Sequence, residues 1–257
     1  MSVLMDYLRV GGRLIALLLN QLIFTLVGLG LYFLYRHRQK KRLRYIAIFS
    51  RHWARWSCFI LNIRVRVTGE PAPPPGSLIV SNHIGMTDIY ALGSCFETVF
   101  VAKQDISRWP LVGWTARLGG VVFVDRSKRH AVSAMVAETA QRLQHGCSVA
   151  IFPEGGIAED VRIRVFKTSA FEAAVISGVA VAPTLISYAD SKNPAVARWG
   201  GKNFLTHIIG LMKNRRLDVT LTILPSIRVE PDRRVIAKHC YDAISKANAG
   251  QQEDCQP

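Results

Sequence analysis

Residues 77–90 read SLIVSNHIGMTDIY, and the way this stretch changes character decides the fold. Ser77–Ser81 is short, apolar and free of polar alternation, which predicts a strand buried on both faces. Gly85 then permits a turn, and Thr87 or Asp88 is placed to cap a helix opening "DIYAL". The sequence therefore predicts a strand–turn–helix unit with His83 at the strand's carboxyl end, where open α/β sheets carry their sites. On one continuous helix, His83 and Asp88 would project about 140° apart, at roughly 100° per residue. Across a turn the carboxylate can fold back onto the imidazole instead. Such a contact fixes the tautomer, leaves the other ring nitrogen free as a base, and stabilises the imidazolium once a proton arrives.

Outward from this unit, further strand-like runs are expected at Arg64–Val67, Val99–Ala102, Val121–Val124, Val149–Phe152, Val179–Ile186 and Val219–Leu224. Between the fourth and fifth of the seven runs, Val132, Met135, Val136, Thr139 and Leu143 share one helical face that Gly146 terminates. The expected body, residues 63–250, is an α/β domain with a mixed sheet flanked by helices. The run EPAPPPG (Glu70–Gly76) is its rigid connector, and residues 251–257 form a polar tail expected to fray.

Residues 1–62 differ in character. Leu14–Tyr35 is apolar apart from Asn20, Gln21 and Thr25, and long enough to cross a hydrocarbon core of roughly 30 Å. A basic run, RHRQKKRLR (Arg36–Arg44), follows it where a signal peptide would carry a small-residue cleavage site. The positive-inside rule puts that run, and the body beyond it, on the cytoplasmic face of a membrane. In the next segment Tyr45, Phe49, Trp53, Trp56 and Ile60 share one helical face with Arg51 and Arg55 across from it. That pattern suits an interfacial helix, and equally a helix docked on the protein's own core. The whole is expected to be an N-terminal membrane-anchoring helical module.

The chain has 257 residues, 49% hydrophobic content and a formal net charge of +15. That surplus favours anionic partners, among them lipid headgroups and phosphorylated small molecules. Nucleic acid is disfavoured, because much of the basic charge adjoins an apolar helix and neither aromatic RNA-binding signatures nor zinc-finger spacing occur. Five widely spaced cysteines (Cys58, Cys95, Cys147, Cys240, Cys255) lack any CxxC or CxxH pairing, so neither a disulfide framework nor a metal site is expected. No GxSxG elbow is present, and no cysteine stands in a nucleophile motif. A His–Asp pair without a protein nucleophile predicts that the substrate supplies the attacking group, with His83 as its general base.

The surrounding blocks give that pair a context. NHIGMTD (Asn82–Asp88) resembles the NHxxxxD block of the glycerolipid acyltransferases. Ala102–Arg126, with Gly120, Phe123 and Arg126, resembles the family's second block. VAIFPEGG followed by VFKTSAFEAA resembles its FPEG block, and VAPTLI a fourth. The resemblance covers about residues 77–187 and implies direct transfer of an acyl group from acyl-CoA or acyl carrier protein to a lysolipid hydroxyl. It implies His83 as base, Asp88 as its orienting partner, Arg126 as phosphate ligand, and Glu154 in acceptor binding or arginine pairing. Gly155 and the neighbouring glycine are candidates for oxyanion donors, and Lys167, with Lys103, for residues near the acceptor. Neither a metal nor a redox cofactor is implied. One departure stands out: Gly156 and Ile157 occupy the positions where the family usually has Thr and a phosphate-binding Arg. Either Arg162 or Arg164 substitutes, or the acceptor is another lysolipid such as lyso-ornithine lipid. The surviving Arg126 and the basic surface favour 1-acylglycerol-3-phosphate as the acceptor, hence phosphatidic acid synthesis. A non-catalytic lipid-binding relative is the remaining alternative.

Overall fold

The computed structural model describes residues 2–125, 127–157, 163–188, 197 and 204–253. Its centre is a seven-stranded sheet built from β1 (Ile63–Gly69), β2 (Leu78–Ser81), β3 (Thr98–Lys103), β4 (Val122–Val124), β5 (Ser148–Ile151), β6 (Val181–Tyr188) and β7 (Leu217–Ile223). The spatial order is β1-β7-β6-β2-β5-β3-β4. Five strands, β2 to β6, run parallel to one another, whereas β7 pairs antiparallel with β6 and parallel with β1. All seven expected strands are present, within a few residues of their expected limits.

The two central strands, β2 and β5, are buried at every position, and their side chains alternate between two cores. Leu78, Val80, Val149 and Ile151 face one core. It is closed by Met135, Ala140 and Leu143 of α5 (Arg129–Gln144), Ala173 and Ala174 of α6 (Glu172–Ser177), and Ile236 and Ile244 of α8 (Arg233–Glu253). Ile79 and Ala150 face the other, closed by Cys58 and Leu61 of α2 (Gln39–Leu61), Ala91 and Leu92 of α3 (Thr87–Cys95), and Leu211 of α7 (Phe204–Lys213). Each fully buried aliphatic side chain contributes about 1.5–3 kcal/mol. β7, nearer the sheet edge, alternates buried and half-buried residues instead. α5 presents the predicted face and stops at Gly146 in the left-handed region, φ +78. α8 stays helical through Glu253, past the boundary expected at residue 250.

α1 (Ser2–Leu34) is a single helix; the most apolar window of 18 residues within Leu4–Leu34 has a mean hydropathy of 2.2, and only 11% of that window is buried. By length and composition it could cross a membrane, yet it is docked along its length on the body. Arg13 donates to the Met212 carbonyl at 2.8 Å and the Asn214 carbonyl at 2.5 Å, and Arg9 to that of Lys213 at 3.1 Å. These are the orphan acceptors at the carboxyl end of α7. Asn20, which would be costly in lipid without a partner, donates to the Trp53 carbonyl and the Ser57 hydroxyl. Phe24 stacks on Phe49 at 5.5 Å and meets Trp53 at 5.4 Å, and Tyr35 stacks on Tyr45 at 5.1 Å. Most of the aromatic face expected on α2 therefore receives α1, while Leu43, Ala47, Ala54, Cys58 and Leu61 turn inward. Trp56 remains exposed.

Candidate active site

His83 leaves the carboxyl end of β2 beside β5 and β6, held by two devices. Asn82, immediately before it, uses its side-chain amide as a peptide surrogate: Nδ2 donates to the Ile186 carbonyl at 3.0 Å, and Oδ1 accepts from the Ile186 N–H at 2.8 Å. The pairing of β2 with β6 is thereby prolonged beyond the last strand residue. Glu154, from the turn after β5, accepts the His83 backbone N–H at 2.8 Å through Oε1.

The imidazole contacts Asp88 as the turn geometry requires. Nδ1 of His83 lies 2.7 Å from Oδ2 of Asp88, which is fully buried. The same oxygen accepts the backbone N–H of Ile84 at 2.6 Å and of Gly85 at 2.9 Å. Oδ1 accepts the Tyr188 hydroxyl, itself 2.6 Å from the Thr87 hydroxyl. Asp88 does not cap α3, whose N-terminus carries no side-chain cap; its carboxylate folds back over the turn. With only donors around it, the carboxylate receives Nδ1–H, which leaves Nε2 with the lone pair. Tyr188 stays a neutral donor, because burial and then the Asp88 charge push its hydroxyl well above the usual phenol range. The ring of His83 stacks on Phe152, centroids 4.0 Å apart and planes 13° from parallel. Among the described residues, no serine or cysteine side chain hydrogen-bonds His83.

Glu154 is buried, and its second oxygen accepts the Arg164 backbone N–H at 3.1 Å, with the Arg164 Nε at 3.9 Å. Arginine pairing is thus the one of its two expected roles that the geometry displays. Burial raises its carboxyl above the usual range, opposed by the backbone bonds from Arg164 and His83. Gly155 adopts φ +79, and a Cβ there would lie 2.6 Å from Cε of Lys167, which passes over it. Its N–H reaches the Phe152 carbonyl at 3.2 Å, so it closes the turn rather than pointing at an oxyanion position.

Lys167 is fixed through its own N–H to the Pro153 carbonyl at 2.9 Å. Together with Phe152 and Gly155 it lines a cavity of about 100 Å³ whose other walls include Val101, Val124 and Met135. Phe152 thus lies between the cavity and the His83 ring. Lys103 is not brought there. Its exposed ammonium pairs with Asp105 at 2.5 Å, and it is not among the residues lining the cavity. Arg126 and Arg162 lie outside the described residues. Arg164 donates to the Ile157 carbonyl, so this guanidinium braces the loop in which the usual arginine is missing.

Sequence reasoning missed Tyr188, Asn82 and Phe152 as parts of the site. Asn82 adjoins His83, and Phe152 lies two residues before Glu154, each inside a quoted block, which was the available signal. Tyr188 carried none, since it reaches Asp88 only because β6 lies beside β2.

The Acyltransferase family model matches residues 64–187. Lyso-ornithine lipid O-acyltransferases of Rhizobium meliloti and Pseudomonas aeruginosa are similar. The first is 35% identical, covering 66% of this chain and 63% of that protein; the second is 32% identical, covering 78% of each. A 1-acyl-sn-glycerol-3-phosphate acyltransferase of Neisseria gonorrhoeae is 32% identical over 51% of this chain and 52% of its own. The fold matches the crystal structure of the 1-acyl-sn-glycerophosphate acyltransferase PlsC from Thermotoga maritima, with a TM-score of 0.68, 20% identity, and 100% and 99% of the two chains covered. The family model spans the turn that holds His83 and Asp88, and the Pseudomonas relative is matched over 78% of both chains: the chain belongs to the glycerolipid acyltransferase family, as an O-acyltransferase.

Proposed function

We propose that this protein transfers a fatty acyl group from a thioester, acyl-CoA or acyl carrier protein, to the free hydroxyl of a lysolipid. The observation that carries the reading is the His83 ring, tied at Nδ1 to a buried carboxylate; in the neutral ring that tie places the lone pair on Nε2. Nε2 removes the proton from the lipid hydroxyl as its oxygen attacks the thioester carbonyl. The new C–O bond forms, the tetrahedral intermediate collapses, the C–S bond breaks, and the imidazolium returns its proton to the departing thiolate. Asp88 stabilises that imidazolium, while Asn82 and Glu154 hold the backbone of the base in place. Phe152 fixes the ring plane.

For the acceptor, the reading favoured is a lyso-ornithine lipid, against the 1-acylglycerol-3-phosphate expected from Arg126 and the basic surface. Ile157 cannot hold a phosphate, and Arg164 is engaged with the Ile157 carbonyl and Glu154. The relatives matched over 66–78% of this chain carry that acceptor in their names. The phosphate reading keeps the support of Arg126, of the basic surface and of relatives such as the Neisseria gonorrhoeae protein. Purified protein supplied with acyl-CoA or acyl carrier protein and a mixture of both lysolipids, with products identified by mass, decides between them. The expected product is acylated ornithine lipid; exclusive formation of phosphatidic acid would reverse the assignment, and acylation of neither would remove the function. Localisation follows from α1 and the basic run after it, which suit attachment to the cytoplasmic face of the inner or another membrane, in contact with membrane lipids.

A further inference from the structure

Between β3 and β4 the chain builds an apolar tip that neither the chemistry nor the core requires. A 3-10 turn (Gln104–Arg108) leads to α4 (Val112–Leu118). At the start of α4, Leu111 has φ +62 and ψ −54, and the Val112 N–H closes onto the Pro110 carbonyl at 2.6 Å. This is a γ-turn of the positive-φ kind, rare and strained, and held here by a bulky residue. Its surroundings leave it no slack. The Gly113 N–H bonds the Trp109 carbonyl at 2.9 Å, and Thr115 Oγ1 lies 3.0 Å from the carbonyls of both Leu111 and Val112. Gly113 is pressed so close to the 3-10 turn that a Cβ would meet the Ser107 carbonyl at 2.3 Å.

The rigid turn points apolar side chains outward. Leu111 is 47% exposed, Val112 37% and Trp114 71%, with exposed Pro110 just before them and exposed Arg108 and Arg117 on either side. An apolar cluster with a tryptophan and flanking cations matches a lipid interface: the carbon parts enter, the guanidiniums reach headgroup phosphates. Two placements favour a bilayer over a protein partner. α4 packs on α1, where Gly28 lets Leu118 approach (a Cβ would lie 3.2 Å from Leu118 Cβ) and Phe24 lies beside Gly119. The tip is therefore continuous with the helix whose exposed Leu22, Ile23, Leu26 and Val27 form the apolar surface of the molecule. Further, α4 follows the carboxyl end of β3, and β3 is parallel to β5 and β5 to β2. It thus rises from the sheet edge that carries His83.

We propose that residues 110–114 are a second membrane-inserting element, which together with α1 seats the active-site edge of the sheet on an anionic lipid bilayer. The proposal rests on the membrane reading of α1. It is tested with the full chain reconstituted in vesicles of phosphatidylglycerol and phosphatidylethanolamine, with and without brominated acyl chains. The emission of Trp114 is obtained by subtracting the spectrum of Trp114→Phe, and again of Trp114→Tyr, from that of the unaltered protein. Bromine is expected to remove most of the Trp114 emission, and that emission is expected to lie to the blue of its position in detergent-free buffer. If the remaining tryptophans are quenched while Trp114 is not, the tip faces water or a protein partner and the proposal falls, with the membrane reading intact. If no tryptophan is quenched, both fall.

Discussion

At the scale of single residues, Asp88→Asn separates geometry from charge. An asparagine can place its oxygen where Oδ2 now accepts His83 Nδ1–H and the N–H groups of Ile84 and Gly85. Its amide would then face the Tyr188 hydroxyl, which can rotate to accept from it while donating to Thr87. The fold and the tautomer survive, but the charge that stabilises the imidazolium is gone. The expected result is an unchanged melting temperature with kcat lower by roughly 100-fold or more. His83→Ala should lose at least as much thiol release from the thioester, and full activity in that variant would remove the base from the mechanism. Glu154→Gln probes the brace. Whichever way the amide turns, one of the two backbone donors, His83 N–H or Arg164 N–H, meets an NH2 group. The cost is about 1–3 kcal/mol of stability. Burial holds the Glu154 carboxyl above its usual range, so the folded state binds that proton more tightly than the unfolded chain. Its share of stability is present in acid and is lost as pH rises through the raised value. The stability of the unaltered protein relative to Glu154→Gln should therefore grow as pH falls from neutrality towards the carboxylate range; calorimetric scans at several pH values giving the opposite slope would contradict the buried placement. His83 and Asp88 could be read from sequence because their contact is local, spanning one turn. Tyr188 could not, because its contact with Asp88 depends on a strand order that spacing does not encode.

Among the elements, the strands were legible for a simple reason: β2, β5 and most of β6 are buried throughout, so their apolar runs are uninterrupted. The reversal between β6 and β7 was not. The intervening segment is long enough for either direction, and β7 alternates as either arrangement would permit at a half-covered position. For α2 the aromatic face was identified but its occupant was not, since a stripe of Tyr45, Phe49 and Trp53 serves a lipid surface or a neighbouring helix equally well. That occupant, α1, yields a prediction of its own. The amino-terminal half of α1 is tied to α7 through Arg9 and Arg13, and its carboxyl end to α2 through Tyr35 and Tyr45. On the membrane reading of α1, a helix fastened at both ends to one water-facing body is expected to lie along the bilayer surface, within one leaflet, rather than across it. Met5→Cys and Arg38→Cys should consequently react with an impermeant thiol reagent from the same side of sealed vesicles, measured against the background of the native cysteines. Reaction from opposite sides would mean that α1 leaves its dock and spans.

For the molecule as a whole, what matters is the division between the His83–Asp88 contact, whose carboxylate is fully buried, and a strongly cationic exterior. The +15 charge acts over distances comparable to the screening length, about 10 Å at 0.1 M salt. The His83–Asp88 contact, with Asp88 fully buried, is screened far less. Raising ionic strength should therefore weaken capture of a polyanionic thioester, whether coenzyme A or an acidic carrier protein supplies it, and leave the chemical step alone. In kinetic terms, kcat/KM for the donor should fall steeply with added salt while kcat at saturating donor changes little. The dependence should be reduced by replacing exposed cations of the Arg36–Arg44 run with glutamine if that run contributes to capture. The comparison is made in detergent micelles of neutral headgroup, so that salt does not act through lipid attachment. A kcat/KM indifferent to salt would assign the positive surface to the bilayer alone. A fall in kcat equal to that in kcat/KM would instead place the salt-sensitive step at the reacting groups, in conflict with a carboxylate shielded by Ile84, Gly85 and Tyr188.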